Sequence, residues 1–322
     1  MRKTKLLALL GLSLFVWVIW SAGPGIMLSQ IAGADLFWIS GVVSILVINI
    51  IIKSFRWLLI SREYGYECGI LNSIRIWLIG LAGATITPGR LGDFMKAVYM
   101  KQYGKIPLGS GISAVMIERI TDVAVLFSLA GFGLVFTGSR LAGSQMSLPL
   151  IGMLIVAGFA GLWALTQKKV VRIVARPIFD RIIPQKYKQN LRGGFEDLYG
   201  SMFAVFKRPR FLTALVLLTY LSWLLTFAST IFSAKALGVD IPLIYVVAFA
   251  PLAVLMELLP ITVGGFGTRE ATAVFLYGLI GLAASTTVAM TLIGVLISWV
   301  AVAAGFVIWL RRPVNMKGLL GG

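Results

Sequence analysis

Apolar residues run along this chain in long blocks, not in the alternating or one-sided patterns of a soluble fold. They occupy about 6–22, 36–60, 70–88, 111–137, 148–166, 211–234, 241–259, 270–284 and 286–310. Uncharged apolar blocks near 20 residues long are the signature of membrane-crossing helices. Two blocks, 70–88 and 241–259, run instead into breaks rich in glycine and proline. The first break reads Thr85-Ile86-Thr87-Pro88-Gly89-Arg90-Leu91-Gly92-Asp93. The second reads Leu259-Pro260-Ile261-Thr262-Val263-Gly264-Gly265-Phe266-Gly267-Thr268-Arg269-Glu270.

Composition removes the aqueous alternative. Of 322 residues, 59% are hydrophobic and 13% charged, and the mean hydropathy is +0.94. Soluble domains carry about 25% charged residues. There is no histidine, and the single cysteine is Cys68. An intrachain disulfide is therefore excluded, and no metal centre, cofactor or catalytic residue is expected. Cys68 reads as a packing residue. The formal net charge of +17 suits anionic headgroups at a membrane surface, so nucleic acid is not an expected partner. The start, Arg2-Lys3-Thr4-Lys5 followed by Leu6 to Trp20, has the shape of a signal peptide. An uncleaved first span is expected.

Lysine and arginine concentrate on the cytoplasmic side of membrane proteins, and their placement sets a topology. Three basic residues precede the first block, and 23–35 holds none. Lys53, Arg56, Arg62 and Arg75 place the end of the second block inside. Arg90, Lys96, Lys101 and Lys105 require 90–105 to be inside as well, which a full crossing at 70–88 forbids. A hairpin that enters from the cytoplasm, breaks near Pro88 and returns removes the conflict. Such broken backbone is tolerated only inside the protein or along a cavity. The loop 167–210 holds 11 of the 29 basic residues and is read as cytoplasmic, with amphipathic stretches on the membrane surface. A second hairpin at 241–284, entering from outside, leaves both termini cytoplasmic.

The expected fold is an all-α polytopic membrane protein in a single transmembrane domain, 1–322. It has about six full spans and two oppositely oriented re-entrant helical hairpins, in inverted repeats at about 36–137 and 211–310. Inverted repeats with broken helices at mid-membrane are a transporter architecture.

Charges inside apolar blocks are the candidates for chemistry. Glu118 and Asp122 share one helix face, with Arg119 about 100° around the helix. Each costs roughly 2.5–3.5 kcal/mol at the bilayer centre, and the two carboxylates repel, so they require a cation, a proton or water. Arg90 or Arg269 is the candidate partner. Locking helices together and a role in transport both remain open for the pair. At the breaks, free N–H groups near Gly89, Gly92, Gly264, Gly265 and Gly267, with Arg90 and Arg269, suit a phosphate headgroup. The glycines alternatively serve close packing. Glu257 pairs with Arg269 or lines the cavity. Asp93, Glu118, Arg119, Asp122, Glu257 and Glu270 are candidates for a cavity charge network; for Asp93 and Glu270, in the first turn of a returning helix, capping is the alternative. Trp17, Trp20, Trp38, Trp57, Trp299 and Trp309 lie near block ends, as interface anchors do.

Thr87-Pro88-Gly89-Arg90-Leu91-Gly92-Asp93, Glu118-Arg119-Ile120-Thr121-Asp122, and the second break continued to Ala271 together resemble a known family. It is the lysylphosphatidylglycerol synthase transmembrane-region family, the flippase-like module of the multiple peptide resistance factors. The likeness covers about residues 5–312, and the second break is its most specific part. It implies paired re-entrant hairpins and movement of a lipid between leaflets. Some relatives are linked to polyprenyl-phosphate glycosylation. The sequence holds no counterpart of the soluble aminoacyl-transferase domain, so lysylphosphatidylglycerol synthesis is not expected.

The function expected is therefore lipid flippase-like transport of an anionic phospholipid or a polyprenyl-phosphate-linked lipid in the cell membrane, by a non-enzyme able to form homo-oligomers. A membrane-embedded transferase and an accessory scaffold are the alternatives. No Gly-x-x-x-x-Gly-Lys-Ser/Thr sequence occurs, so ATP is not the expected driving force.

Overall fold

The structure is a computed structural model that describes residues 2–87, 89–141, 156, 160, 167, 200–205, 207–258, 262 and 264–313. Nearly all of the expected span at 148–166 and most of the basic loop 167–210 lie outside the described residues, as do Pro88, Leu259, Pro260, Ile261 and Val263. Every regular element among the described residues is helical.

Four long helices carry the frame: α3 (Leu36–Glu63), α6 (Leu108–Leu141), α7 (Pro209–Ala236) and α10 (Ala284–Arg311). The shortest have 28 residues, about 42 Å at 1.5 Å per residue, enough to cross a hydrocarbon core of about 30 Å. Their outer faces display large apolar side chains, such as Val47, Ile51 and Phe55 on α3 and Val300, Val307 and Leu310 on α10. In water such a surface is a liability; in lipid it matches the solvent. Asp35 caps α3 by accepting from the Phe37 N–H at 2.8 Å.

Before α3 come α1 (Arg2–Ala22) and α2 (Pro24–Ala32), bent by 78°. Gly23, at a φ of 84°, makes the corner and Pro24 starts α2. The segment 23–35, which holds no basic residue, is thus mostly helix.

The two breaks join short helices. α4 (Ile70–Thr85) leads through the first break and a 3-10 turn (Leu91–Phe94) into α5 (Met95–Gly104). α8 (Leu243–Leu258) leads through the second into α9 (Thr268–Gly278). The 16 residues of α4 or α8 reach roughly 24 Å, short of a full crossing.

The element lengths echo each other. Helices of 28, 16, 10 and 34 residues are followed, after the middle of the chain, by helices of 28, 16, 11 and 28. The packing echoes too. α3 lies along α7, α6 along α8 and α10 along α4. Exchanging the first set of helices with the second turns the α6–α8 contact into the α10–α4 contact. Each of those two crossings is close at a glycine. A Cβ on Gly133 of α6 would strike the backbone of Ala248, and one on Gly305 of α10 would strike the Leu78 carbonyl.

Candidate functional site

The helical spacing of Glu118 and Asp122 puts both carboxylates on the face of α6 that meets α3 and α5. Arg56 of α3 answers both. Its Nη2 donates to Glu118 Oε1 at 2.8 Å and its Nη1 to Asp122 Oδ1 at 2.6 Å. Nη1 also donates to Thr219 of α7 at 3.0 Å. Lys96 of α5 bonds the other oxygen of Glu118 and reaches Asp93 Oδ1 at 2.9 Å. Arg119 pairs with Asp93 at 2.8 Å and sits 3.7 Å from Asp122. The Trp223 Nε1–H donates to Asp122 at 3.1 Å. Arg56, Lys96 and Glu118 are almost fully buried, at 1%, 0% and 0% exposure. Three cations meet three carboxylates, so the cluster is neutral, and it ties α3, α5, α6 and α7 together.

This corrects the expected pairing. Arg90 and Arg269 do not reach Glu118 or Asp122; Arg56 and Lys96 do. Asp93 belongs to this cluster and caps no helix. Trp57, expected at an interface, is buried with the Lys96 ammonium 4.7 Å from its ring centroid. Arg56 and Lys96 served above as markers of the cytoplasmic side, yet their partners lie in the protein interior. Cys68 is buried in the loop after α3, where burial raises its thiol pKa above the ordinary value, in keeping with a packing role.

Arg90 and Arg269 meet elsewhere. At the first break Arg90 itself takes a left-handed conformation, φ 56° and ψ 28°. Thr87 Oγ1 accepts from the Gly92 N–H at 2.6 Å, and Gly92 rests on the backbone of Gly83. At the second break Gly264, Gly265 and Gly267 have φ of 63°, 75° and 88°, a region L side chains avoid. The Glu257 side chain fills the space where a Cβ on Gly265 would go. Glu270 accepts from the Gly267 N–H at 2.8 Å, as an N-terminal capping carboxylate does, and holds Arg269 at 2.5 Å.

Glu257 joins the two breaks. One oxygen lies 3.7 Å from Arg90 Nη1 and the other 3.6 Å from Arg269 Nη1. Both exceed hydrogen-bond contact, and the two guanidinium groups are 21% and 23% exposed. They face a cavity of about 290 Å³, near the lower end for small-molecule sites. Of the five glycines proposed to receive a headgroup, Gly264 lines this cavity. The N–H groups of Gly92 and Gly267 are engaged within the protein, and among the described residues Gly89 and Gly265 do not line this cavity.

Three cavity features escaped the reading of the sequence. Lys53 of α3 lines the wall, its ammonium 5.0 Å from the Trp223 ring centroid and 5.9 Å from that of Trp77. Its signal was available: Asn49, Lys53 and Arg56 lie at helical spacing on one face inside an apolar block. Second, Asn49 donates to Thr226 at 2.8 Å and accepts from Ser222 at 2.9 Å. Third, Thr226, Ser229, Thr230 and Ser233 continue a hydroxyl row along α7 on the cavity wall.

The family model for the lysylphosphatidylglycerol synthase TM region matches residues 6–305. A UPF0104 membrane protein of Methanothermobacter thermautotrophicus is 23% identical over 320 residues, 94% of each chain. One of Pyrococcus horikoshii is 23% identical, across 96% of this chain and 97% of its own. Glycosyltransferase AglD of Haloferax volcanii is 26% identical over 85% of this chain, which corresponds to 48% of that protein. No solved structure matches. The chain, an all-α multi-pass membrane protein, belongs to the lysylphosphatidylglycerol synthase TM region family.

Proposed function

We propose that this protein moves an anionic phospholipid or a polyprenyl-phosphate-linked lipid between the leaflets of the cell membrane. The observation that carries the reading is the pair Arg90 and Arg269, one from each helix break, which share Glu257 at more than hydrogen-bond distance and face a common cavity. Arg90, and the Nη1 of Arg269 that Glu270 does not engage, keep donors for a phosphate while Glu257 stays between them. Apolar side chains of α3 and α10, such as Ile45, Leu46 and Val302, line the rest of the cavity and suit an acyl or isoprenoid tail. Glu118 and Asp122, engaged by Arg56, hold the scaffold and do not receive a cationic part of the headgroup.

The inverted repeat and the two re-entrant hairpins are part of the proposal. They are supported by the short paired helices and by the exchange symmetry of the packing, more than by the basic residues at 90–105, since Arg90 and Lys96 both have interior partners. Cytoplasmic termini remain the topology we assign, with transport downhill or ion-coupled. Homo-oligomerisation is compatible with it.

The test is flipping of a fluorescent lipid in vesicles that contain the purified protein, read by quenching from one side. Removing a charge-assisted bond costs about 1.5–3 kcal/mol, or roughly tenfold to a hundredfold in rate. Arg90→Ala and Arg269→Ala should each slow flipping by at least about tenfold. Wild-type rates in both would sink the site. The name of the Haloferax relative favours a second reading, a transferase or accessory role in polyprenyl-phosphate glycosylation. Incubation of the pure protein with a labelled sugar nucleotide and polyprenyl phosphate separates the two, because only an enzyme forms product.

A further inference from the structure

We propose that Lys53 is the third anion-binding cation of the cavity, and that it restricts the site to headgroups whose sole ionised group is a phosphate, rejecting those that also carry an ammonium. The inference rests on the transport reading above and deepens it.

Lys53 stands one helical turn before Arg56, yet the two are held differently. Arg56 has two carboxylates. Lys53 has two tryptophan faces and, among the described residues, no hydrogen bond or ion pair. Ring faces hold a cation by about 0.5–2 kcal/mol, less than the desolvation of a buried charge. Asp122 is the carboxylate whose field attracts it, but Asp122 already accepts from Arg56 and Trp223. Lys53, Arg90, Trp77 and Trp223 also border a smaller void of about 40 Å³ that Asp93, Arg119 and Asp122 line from the other side. Lys53 therefore marks the inner wall of the cavity, between the open space and the closed ion cluster.

Counting charges decides what fits. Around the cavity stand Lys53, Arg90 and Arg269 against Glu257 and Glu270, a surplus of one positive charge. The ion cluster behind it adds three of each sign and changes nothing. An apolar site with an uncompensated cation gains by binding an anion. One phosphate supplies the missing charge. An ammonium needs a free carboxylate, and none is available: Glu257 lies between two arginines, Glu270 holds Arg269 and a backbone N–H, and Asp93, Glu118 and Asp122 are engaged in the cluster. Beside Lys53 an ammonium meets a second cation and no carboxylate that is not already engaged.

The experiment uses the purified full chain in phosphatidylcholine vesicles, each doped with one acyl-labelled lipid. Phosphatidylglycerol carries phosphate alone; phosphatidylethanolamine adds an ammonium. Wild-type protein should flip the first at least about tenfold faster. Lys53→Gln should bring that ratio near one, and Lys53→Arg should keep it. Movement of both lipids at equal rates in wild type, or an unchanged ratio in Lys53→Gln, overturns the proposal while leaving transport intact.

A binding arm covers the case in which nothing moves. Thermal unfolding in detergent is followed with added short-chain phosphatidylglycerol, phosphatidylethanolamine or inorganic phosphate. Stabilisation by phosphatidylglycerol that is at least about tenfold weaker in Lys53→Gln supports the site and counts against transport. Equal stabilisation by inorganic phosphate alone makes it a site for free anions and overturns the lipid assignment. Equal stabilisation by the two lipids overturns the selectivity.

Discussion

The ion cluster at Arg56 and the cavity at Glu257 use the same residue types to opposite ends. In the cluster, Arg56 bonds its carboxylates at 2.6 and 2.8 Å, almost entirely out of contact with solvent or lipid. At the cavity, two arginines stand 3.6 and 3.7 Å from a shared carboxylate and stay about one-fifth exposed. The cluster draws most of its members from the long helices α3 and α6 and the short α5. The cavity pair comes from the two breaks. The cluster's charges are locked and balanced, while at the cavity Arg90 and Lys53 lack a close carboxylate and the count leaves one cation in excess. The difference separates what holds this protein together from what is free to meet a ligand.

The largest expected effect comes from unbalancing the cluster. Glu118→Ala leaves Arg56 and Lys96 buried with one fewer carboxylate, and breaking such a pair costs about 3–5 kcal/mol. Thermal unfolding in detergent should show a large loss of stability, or no folded protein. Glu257→Ala should cost far less, because its partners are part-exposed and weakly held. If Glu118→Ala unfolds like wild type but fails to flip lipid, the cluster belongs to transport and the contrast collapses.

Swapping arginine for lysine sharpens the contrast. Arg56→Lys cannot span Glu118, Asp122 and Thr219 with a single ammonium, so a loss of about 2 kcal/mol or more is expected. Arg269→Lys keeps the charge beside Glu270 and should stay within about 1 kcal/mol of wild type, with slowed flipping as the main effect. Equal losses of stability in both would mean that the break is as rigid as the cluster.

Gly265→Ala tests the backbone under Glu257. At a φ of 75° an alanine is strained, and its Cβ enters the space of the Glu257 side chain. A cost of about 1–3 kcal/mol is expected, with flipping reduced because Glu257 must move off its arginines. Full activity at reduced stability would show that the position of Glu257 is not critical.

These regions were unequally legible in the sequence. Apolar blocks and glycine-rich breaks announce themselves because lipid demands long uniform segments and broken backbone demands glycine, so the all-helical fold and Arg90, Arg269 and Glu257 as candidates could be read directly. Partners across the cluster could not. Arg56 sits 62 residues before Glu118, and nothing local says which of several interior cations will fold onto which carboxylate. The basic residues also carried two meanings at once. A lysine near a span end marks the cytoplasmic side or lines an interior site, and Lys53, Arg56 and Lys96 were read in the first sense only. Lys53 was recoverable from its depth in an apolar block. Lys96 was only half recoverable, since Asp93 lies three residues before it but Glu118 comes from another helix.

The smallest expected effect lies along the hydroxyl row that leads away from Lys53. Asn49→Leu removes the group that joins Thr226 and Ser222. Both hydroxyl residues sit on a helix, and Thr226 keeps its bond to the Ser222 carbonyl at 2.9 Å. Stability should therefore change by no more than about 1 kcal/mol. A moving headgroup, however, loses a polar contact between the cations and the far end of α7, where Thr230 and Ser233 continue the wall. One neutral hydrogen bond is worth about 0.5–1.5 kcal/mol, so flipping should slow by roughly two- to tenfold. The headgroup selectivity set by Lys53 should not change, because Asn49 bears no charge. A shift in selectivity would place the discriminating contact in the row and not at the cations; an unchanged rate would mean that the headgroup does not pass along α7.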